Sequence, residues 1–239
     1  MLKQIKIIFE DQAILVLDKP CGVVVNDSET VSEEDLVLEN YLAKHAENLG
    51  ISEDTERKGI VHRLDKETSG VLIIAKNNTI LKILQASFKE RLIKKTYLAV
   101  VNGSVPEHSF TVNAPIARNP KNRFRFAVVS GGKQAITAFE KIRQFNRTRD
   151  GEDFTYTLLK AYPLTGRTHQ IRVHLTAFGN PIAGDRVYEG RILHQRNEDF
   201  FKRLMLHAYE IEIKHPVTGE KLVFTSPIPK EFKNVNPLP

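Results

Sequence analysis

Residues 62 to 76 read His-Arg-Leu-Asp-Lys-Glu-Thr-Ser-Gly-Val-Leu-Ile-Ile-Ala-Lys, a polar loop carrying an acid that passes through one glycine into a continuous apolar run. The run Val71 to Ala75 is a strand by length and composition, so Asp65 is expected at the mouth of a sheet. Beside Arg63 and Lys66, its carboxyl is expected to stay ionised. A charge held on a rigid element in a cleft suits nucleophilic or general-base chemistry. The plainer alternative is an aspartate that caps a turn next to an arginine salt bridge.

The rest of the chain reads as mixed secondary structure. Ile5 to Phe9 and Ala13 to Leu17 form an opening hairpin across Asp11-Gln12. Six acids between Asp27 and Glu39 mark an acidic loop and helix start. Asn78 is placed to cap a helix with Leu81, Leu84 and Phe88 at helical spacing. Lys95 to Val101 is a strand closed by Asn102-Gly103, and residues 104 to 134 mix short strands with loops. Ala135 to Arg143 and Phe154 to Ala161 are two strands joined by a polar loop around Asn146 to Asp153. Thr168 to Phe178 is a helix capped by Thr168 and ended by Gly179. One helix face carries Ile171, Leu175 and Phe178, and another carries His169, Arg172 and Thr176. Tyr209 to Lys214 and Lys221 to Thr225 close the chain as a hairpin. Without an internal repeat or a Pro/Gly-rich linker, these elements imply one mixed, largely antiparallel α+β domain over residues 1 to 239.

Composition narrows the classes. The 239 residues are 41% hydrophobic, enough for a substantial core. No run is long and apolar enough to cross a membrane, and the first residues are too interrupted for a signal peptide, so a cytoplasmic protein with no membrane partner is expected. Cys21 is the only cysteine, which rules out an intrachain disulfide and reads as a small buried hydrophobe. The net charge of +6 is concentrated: residues 118 to 149 hold nine bases against Glu140 alone, a local excess of +8. Phe124 and Phe126 alternate with Arg123 and Arg125 at strand period, as in a half-buried strand with a solvated basic face. Such a face also suits phosphates.

The segment around Asp65 resembles the catalytic motif of the RluA-type pseudouridine synthases, which isomerise uridine within RNA. Residues 9 to 26 are similar to that family's opening strand-turn-strand, Lys95 to Ala99 to its tyrosine motif, and Leu164 to Leu175 to its arginine motif. The turn at Asn180 to Asp185 and the stretch Leu204 to Ala208 follow in family order. Together they span about residues 5 to 232. The resemblance implies Asp65 as the catalytic carboxylate and Arg172 as its buried ion-pair partner. Tyr97 would stack on the flipped uracil and deprotonate C5, and Arg63 would fill the vacated stack. It further implies RNA contacts from His62, Arg167, His169, Lys121, Arg123 and Arg125, and pocket walls from Leu64 and Leu206. Because the opening motif begins within ten residues, the family's added N-terminal RNA-binding module is expected to be absent. The expected partner of this monomer is a stem-loop of transfer or ribosomal RNA, with transfer RNA favoured.

The isomerisation needs no cofactor, and none is expected. No His, Cys and carboxylate cluster has metal-ligand spacing, and a single cysteine excludes a zinc deaminase. The alternative is an inactive RNA-binding or RNA-chaperone module of the same fold.

Overall fold

The computed structural model describes residues 5–26, 32, 35–233 and 235. In chain order its elements are β1 (Lys6–Glu10), β2 (Ile14–Lys19), α1 (Leu38–Lys44), β3 (Ser69–Ala75), α2 (Asn78–Lys89), β4 (Lys94–Asn102), β5 (Ser109–Asn113), β6 (Ile116–Asn119) and β7 (Asn122–Val128). There follow β8 (Ile136–Arg149), β9 (Glu152–Pro163), α3 (Gln170–Phe178), α4 (Arg191–Asn197), β10 (Leu206–Lys214), β11 (Lys221–Thr225) and α5 (Lys230–Lys233). The class is α+β, as the element pattern implies. The contacts group into two compact units, Met1–Lys95 with Ala208–Pro227, and Thr96–His207 with Ile228–Pro239.

The first unit is built on the strand order β1-β2-β3-β10-β11, with antiparallel pairing in β1-β2, β2-β3 and β10-β11. All seven residues of β3 are buried, which is why its sequence is apolar without alternation. Gly70, the second residue of β3, is a glycine because a side chain cannot fit: a Cβ there would stand 2.2 Å from the carbonyl oxygen of Ala208, and its φ is +124°. Helix α2 buries Ile80, Leu81 and Leu84. Its cap is Asn77, whose side chain accepts the Ile80 N–H at 3.0 Å, one residue before the expected cap. Asn78 instead accepts the N–H of Glu56 at 2.9 Å and ties a neighbouring turn to the helix. Of the expected acidic stretch, Asp27, Glu29, Glu33 and Glu34 lie outside the described residues.

The second unit carries the antiparallel order β4-β9-β8-β5 and a separate β6-β7 hairpin. Residues 146 to 153 are not a loop. β8 and β9 run on as a ribbon to a two-residue turn at Asp150 (φ +52°) and Gly151 (φ +80°), the left-handed pair that matches strand twist. Helix α3 starts at Gln170, not Thr168, and His169 precedes it in a left-handed conformation with no side-chain cap. Gly179 ends it with φ +100°, as expected.

Candidate active site

In the first unit, the loop before β3 is held by buried polar groups. Leu64 is 4% exposed, while Asp65 is half-buried and accepts the Thr68 N–H at its carbonyl, 3.0 Å. The next carbonyl, of Lys66, accepts from Gly22 N at 2.9 Å and from Nζ of Lys19 at 3.1 Å. Lys19 is fully buried. Its ammonium also donates to the carbonyls of Pro20 (3.0 Å) and Val23 (2.8 Å), so backbone oxygens replace the water that burial removes. The opening strand-turn is thereby clamped to the loop that presents Asp65.

The charges flanking Asp65 in sequence have different fates. Lys66 turns to Asp35 at 2.6 Å, and that hydrogen bond raises the lysine pKa and lowers that of the aspartate. Arg63 is exposed, free to meet a ligand. His62 is a neutral tie within the unit. Its Nε2 accepts the N–H of Ile73 at 3.1 Å, and its ring stacks on Phe88 with centroids 4.7 Å apart. Burial, aided by the positive charge of Lys95, pushes its pKa down to about 3, so at neutral pH it offers a phosphate no cation. The RNA contact expected of His62 therefore has no charge behind it. Burial also brings Lys95 down to about 8.

In the second unit, Tyr97 sits half-buried near the start of β4, before the fully buried Leu98 to Val101, and pairs in register with Ala161. Arg172 is 5% exposed on α3, and the partner visible within this unit is Asp185: Nε to Oδ2 at 2.7 Å and Nη2 to Oδ1 at 2.8 Å. The same Oδ1 accepts the N–H groups of Val187 (3.0 Å) and Tyr188 (3.1 Å), and the guanidinium lies 4.9 Å from the centre of the Tyr188 ring. Four hydrogen bonds and one cation–π contact on this buried carboxylate and guanidinium fix the arginine's rotamer. The sequence alone gives Asp185 no role. An acid at the end of Pro-Ile-Ala-Gly could have signalled it, since a charge in apolar company requires a cation.

The start of α3 is fixed by Gln170, whose role the sequence alone does not signal. Its Oε1 accepts from Arg167 N (3.0 Å) and the Thr165 hydroxyl (2.6 Å), and its Nε2 donates to Ile136 O (3.0 Å) and Thr137 Oγ1 (2.9 Å). Thr137 meets Nδ1 of the buried His174 at 2.9 Å, and Nε2 of that ring donates to Ala114 O at 3.1 Å. His169 bonds the Tyr188 hydroxyl at 2.8 Å through Nδ1, and Arg167 is exposed with Nε on Gln134 O at 3.0 Å. Lys121, Arg123 and Arg125 are exposed on the β6-β7 hairpin. Leu206, expected as a pocket wall, is buried at the start of β10.

Comparison with known proteins agrees with these motifs. Residues 13–177 match the family model described as RNA pseudouridylate synthase. An uncharacterized RNA pseudouridine synthase of Aquifex aeolicus is 42% identical over 97% of this chain and 72% of its own length. The ribosomal large subunit pseudouridine synthase D of Nitrosomonas europaea is 40% identical over 95% of this chain, which spans 63% of that relative. Among solved structures, human RNA pseudouridylate synthase domain containing 1 superposes with a TM-score of 0.72 at 30% identity, covering 96% of this chain and 85% of its own. With a family match over most of its length and a loop, tyrosine and arginine in family order, the chain belongs to the RluA-type RNA pseudouridine synthases, a family of isomerases that act on uridine in RNA.

Proposed function

We propose that this protein converts a specific uridine in structured RNA to pseudouridine with Asp65 as the catalytic carboxylate. The observation that carries the reading is the anchoring of Asp65: a half-buried acid whose loop is clamped by the Lys19 ammonium and the His62 ring. Such anchoring supplies the preorganisation that a single reactive carboxylate needs. The target base leaves its stack, the bond from N1 to the ribose C1′ breaks, the ring turns, and C5 joins C1′. C5 then loses its proton and N1 gains one, so the reaction is redox-neutral and needs no group donor. Tyr97 takes the stacking and late proton-transfer role, and Arg172, its rotamer set by Asp185, the role of keeping the reacting carboxylate charged. Arg63 fills the space the uracil leaves.

For the substrate we infer large-subunit ribosomal RNA over transfer RNA, because relatives at 37 to 40% identity carry the name ribosomal large subunit pseudouridine synthase D. The deciding experiment pairs Asp65→Asn with hydrogen release from C5 of uridine in RNA. Turnover should fall below roughly a thousandth of wild type while RNA affinity persists. Turnover retained above that level removes Asp65 from the chemistry. Mapping pseudouridines in cells with and without the gene would assign the RNA, and a mark lost only from transfer RNA would refute the ribosomal assignment.

A further inference from the structure

Strand β7 carries two phenylalanines on one face with opposite surroundings. Phe126 packs on the buried Ile116, Ala135 and Val173, and its N–H donates to the Tyr188 hydroxyl at 3.0 Å. Phe124, two residues along and roughly 6.8 Å further out, is 93% exposed. The half-buried strand expected from alternation therefore stops between them: the core ends at Phe126 and the ring beyond it stands in water. Its backbone is nonetheless fixed. Asn122 Oδ1 accepts the Phe124 N–H at 3.1 Å, Asn119 Oδ1 accepts the Lys121 N–H at 2.9 Å, and Arg118 Nη1 donates to Arg123 O at 2.8 Å. The Arg118 guanidinium in turn lies 5.3 Å from the centre of the Phe126 ring.

We propose that Phe124 is a stacking platform for an unpaired nucleobase of the RNA, with Lys121, Arg123 and Arg125 on the neighbouring phosphates. The inference deepens the RNA-modifying reading and rests on it. A lone exposed apolar side chain is ordinary, but this one is a flat ring on a locked hairpin tip, with Arg118 exposed on the same face and Arg123 and Arg125 exposed on the other. An apolar protein partner would call for further apolar surface on that face, whereas the exposed side chain beside Phe126 there is the Arg118 guanidinium. Phenylalanine has no hydrogen-bonding atom, so the platform accepts any base and selects unpaired RNA over duplex rather than one sequence over another. The same hairpin is tied through Phe126 and Tyr188 to the helix that carries Arg172, so a base held on Phe124 is held in fixed relation to that arginine.

The test measures affinity for two synthetic RNAs of equal length, a stem closed by a seven-nucleotide loop and a blunt duplex. Phe124→Ala should bind the stem-loop about tenfold more weakly and the duplex as wild type does, with the salt dependence of both unchanged. Phe124→Tyr and Phe124→Trp should retain stem-loop affinity, and Phe124→Leu should not. An unchanged stem-loop affinity in Phe124→Ala, an equal loss on both RNAs, or full rescue by leucine each overturns the platform. Wild-type protein that discriminates between the two RNAs yet releases no C5 hydrogen from uridine in cellular RNA overturns the isomerase reading instead and leaves the platform standing.

Discussion

Acid should loosen the loop that presents Asp65, and His62 is the group responsible. Its pKa is 6.5 in the unfolded chain and about 3 in the folded one, because burial disfavours the imidazolium. Above pH 6.5 both states are neutral there and the residue contributes no pH dependence. Below it, the unfolded chain takes up a proton that the folded chain refuses, so stability falls with pH by about 1.4 kcal/mol per unit down to about pH 3. At pH 5 the loss is at most about 2 kcal/mol. The same proton removes the Nε2 lone pair that accepts the Ile73 N–H, which makes that amide the reporter. Native-state hydrogen exchange at Ile73, corrected for the intrinsic rate, should show an opening free energy lower at pH 5 than at pH 7 by up to this amount. His62→Gln keeps an acceptor but does not titrate. Its amide should open more easily at pH 7, for want of the stack on Phe88, and change little on going to pH 5. Parallel decline in the two proteins would refute the assignment of the acid sensitivity to this ring.

Removing Asp185 tests the buried pair: Asp185→Ala takes from the Arg172 guanidinium its hydrogen bonds at 2.7 and 2.8 Å and should cost about 3 to 5 kcal/mol in thermal or urea unfolding. Asp185→Asn, which still accepts the N–H groups of Val187 and Tyr188, should cost less, and equal losses would mean that the charge contributes nothing. Asn77→Ala deletes the α2 cap and should lower stability by about 1 kcal/mol, read by the same denaturation, with no change if the cap is dispensable. Gly70→Ala drives a Cβ into the carbonyl of Ala208 and should cost about 3 kcal/mol or more; a variant that melts like wild type would show that β3 and β10 can part without penalty.

Periodicity made the opening hairpin, β3, α2, β4 and the closing hairpin legible to within a few residues, because each joins an apolar pattern to turn chemistry. It failed where the pattern is polar. The outer part of β8 alternates only between exposed and half-buried positions and fills both mostly with polar residues, so no apolar pattern marks it, and only the pair Asp150-Gly151 betrays a hairpin there. Alternation also could not say where the core ends. Phe124 and Phe126 are equivalent by period, and what separates them is the extent of the surface formed by Ile116, Ala135 and Val173, residues whose neighbourhood is set by the chain's three-dimensional path.

The motif residues themselves were plain in the sequence, but the groups that hold them were not, and the reason is physical. Lys19, His62 and Asp185 are polar residues that a hydrophobic pattern assigns to the surface, yet each is secured by partners well removed along the chain: Lys66 is 47 positions from Lys19, Ile73 is 11 from His62, and Arg172 is 13 from Asp185. An apolar side chain at any of these places would avoid the desolvation cost but would take a bond away from a carbonyl, an amide or a guanidinium. Directional bonds also do what apolar packing cannot, since each fixes both the distance and the angle of the element it holds. The Asp65 loop is therefore located by a cation on one side and a neutral imidazole on the other, and the Arg172 fork by a carboxylate already fixed by two backbone amides. Weakening any one of the three should move a motif residue without touching it, and that displacement would register in turnover before it registered in the fold.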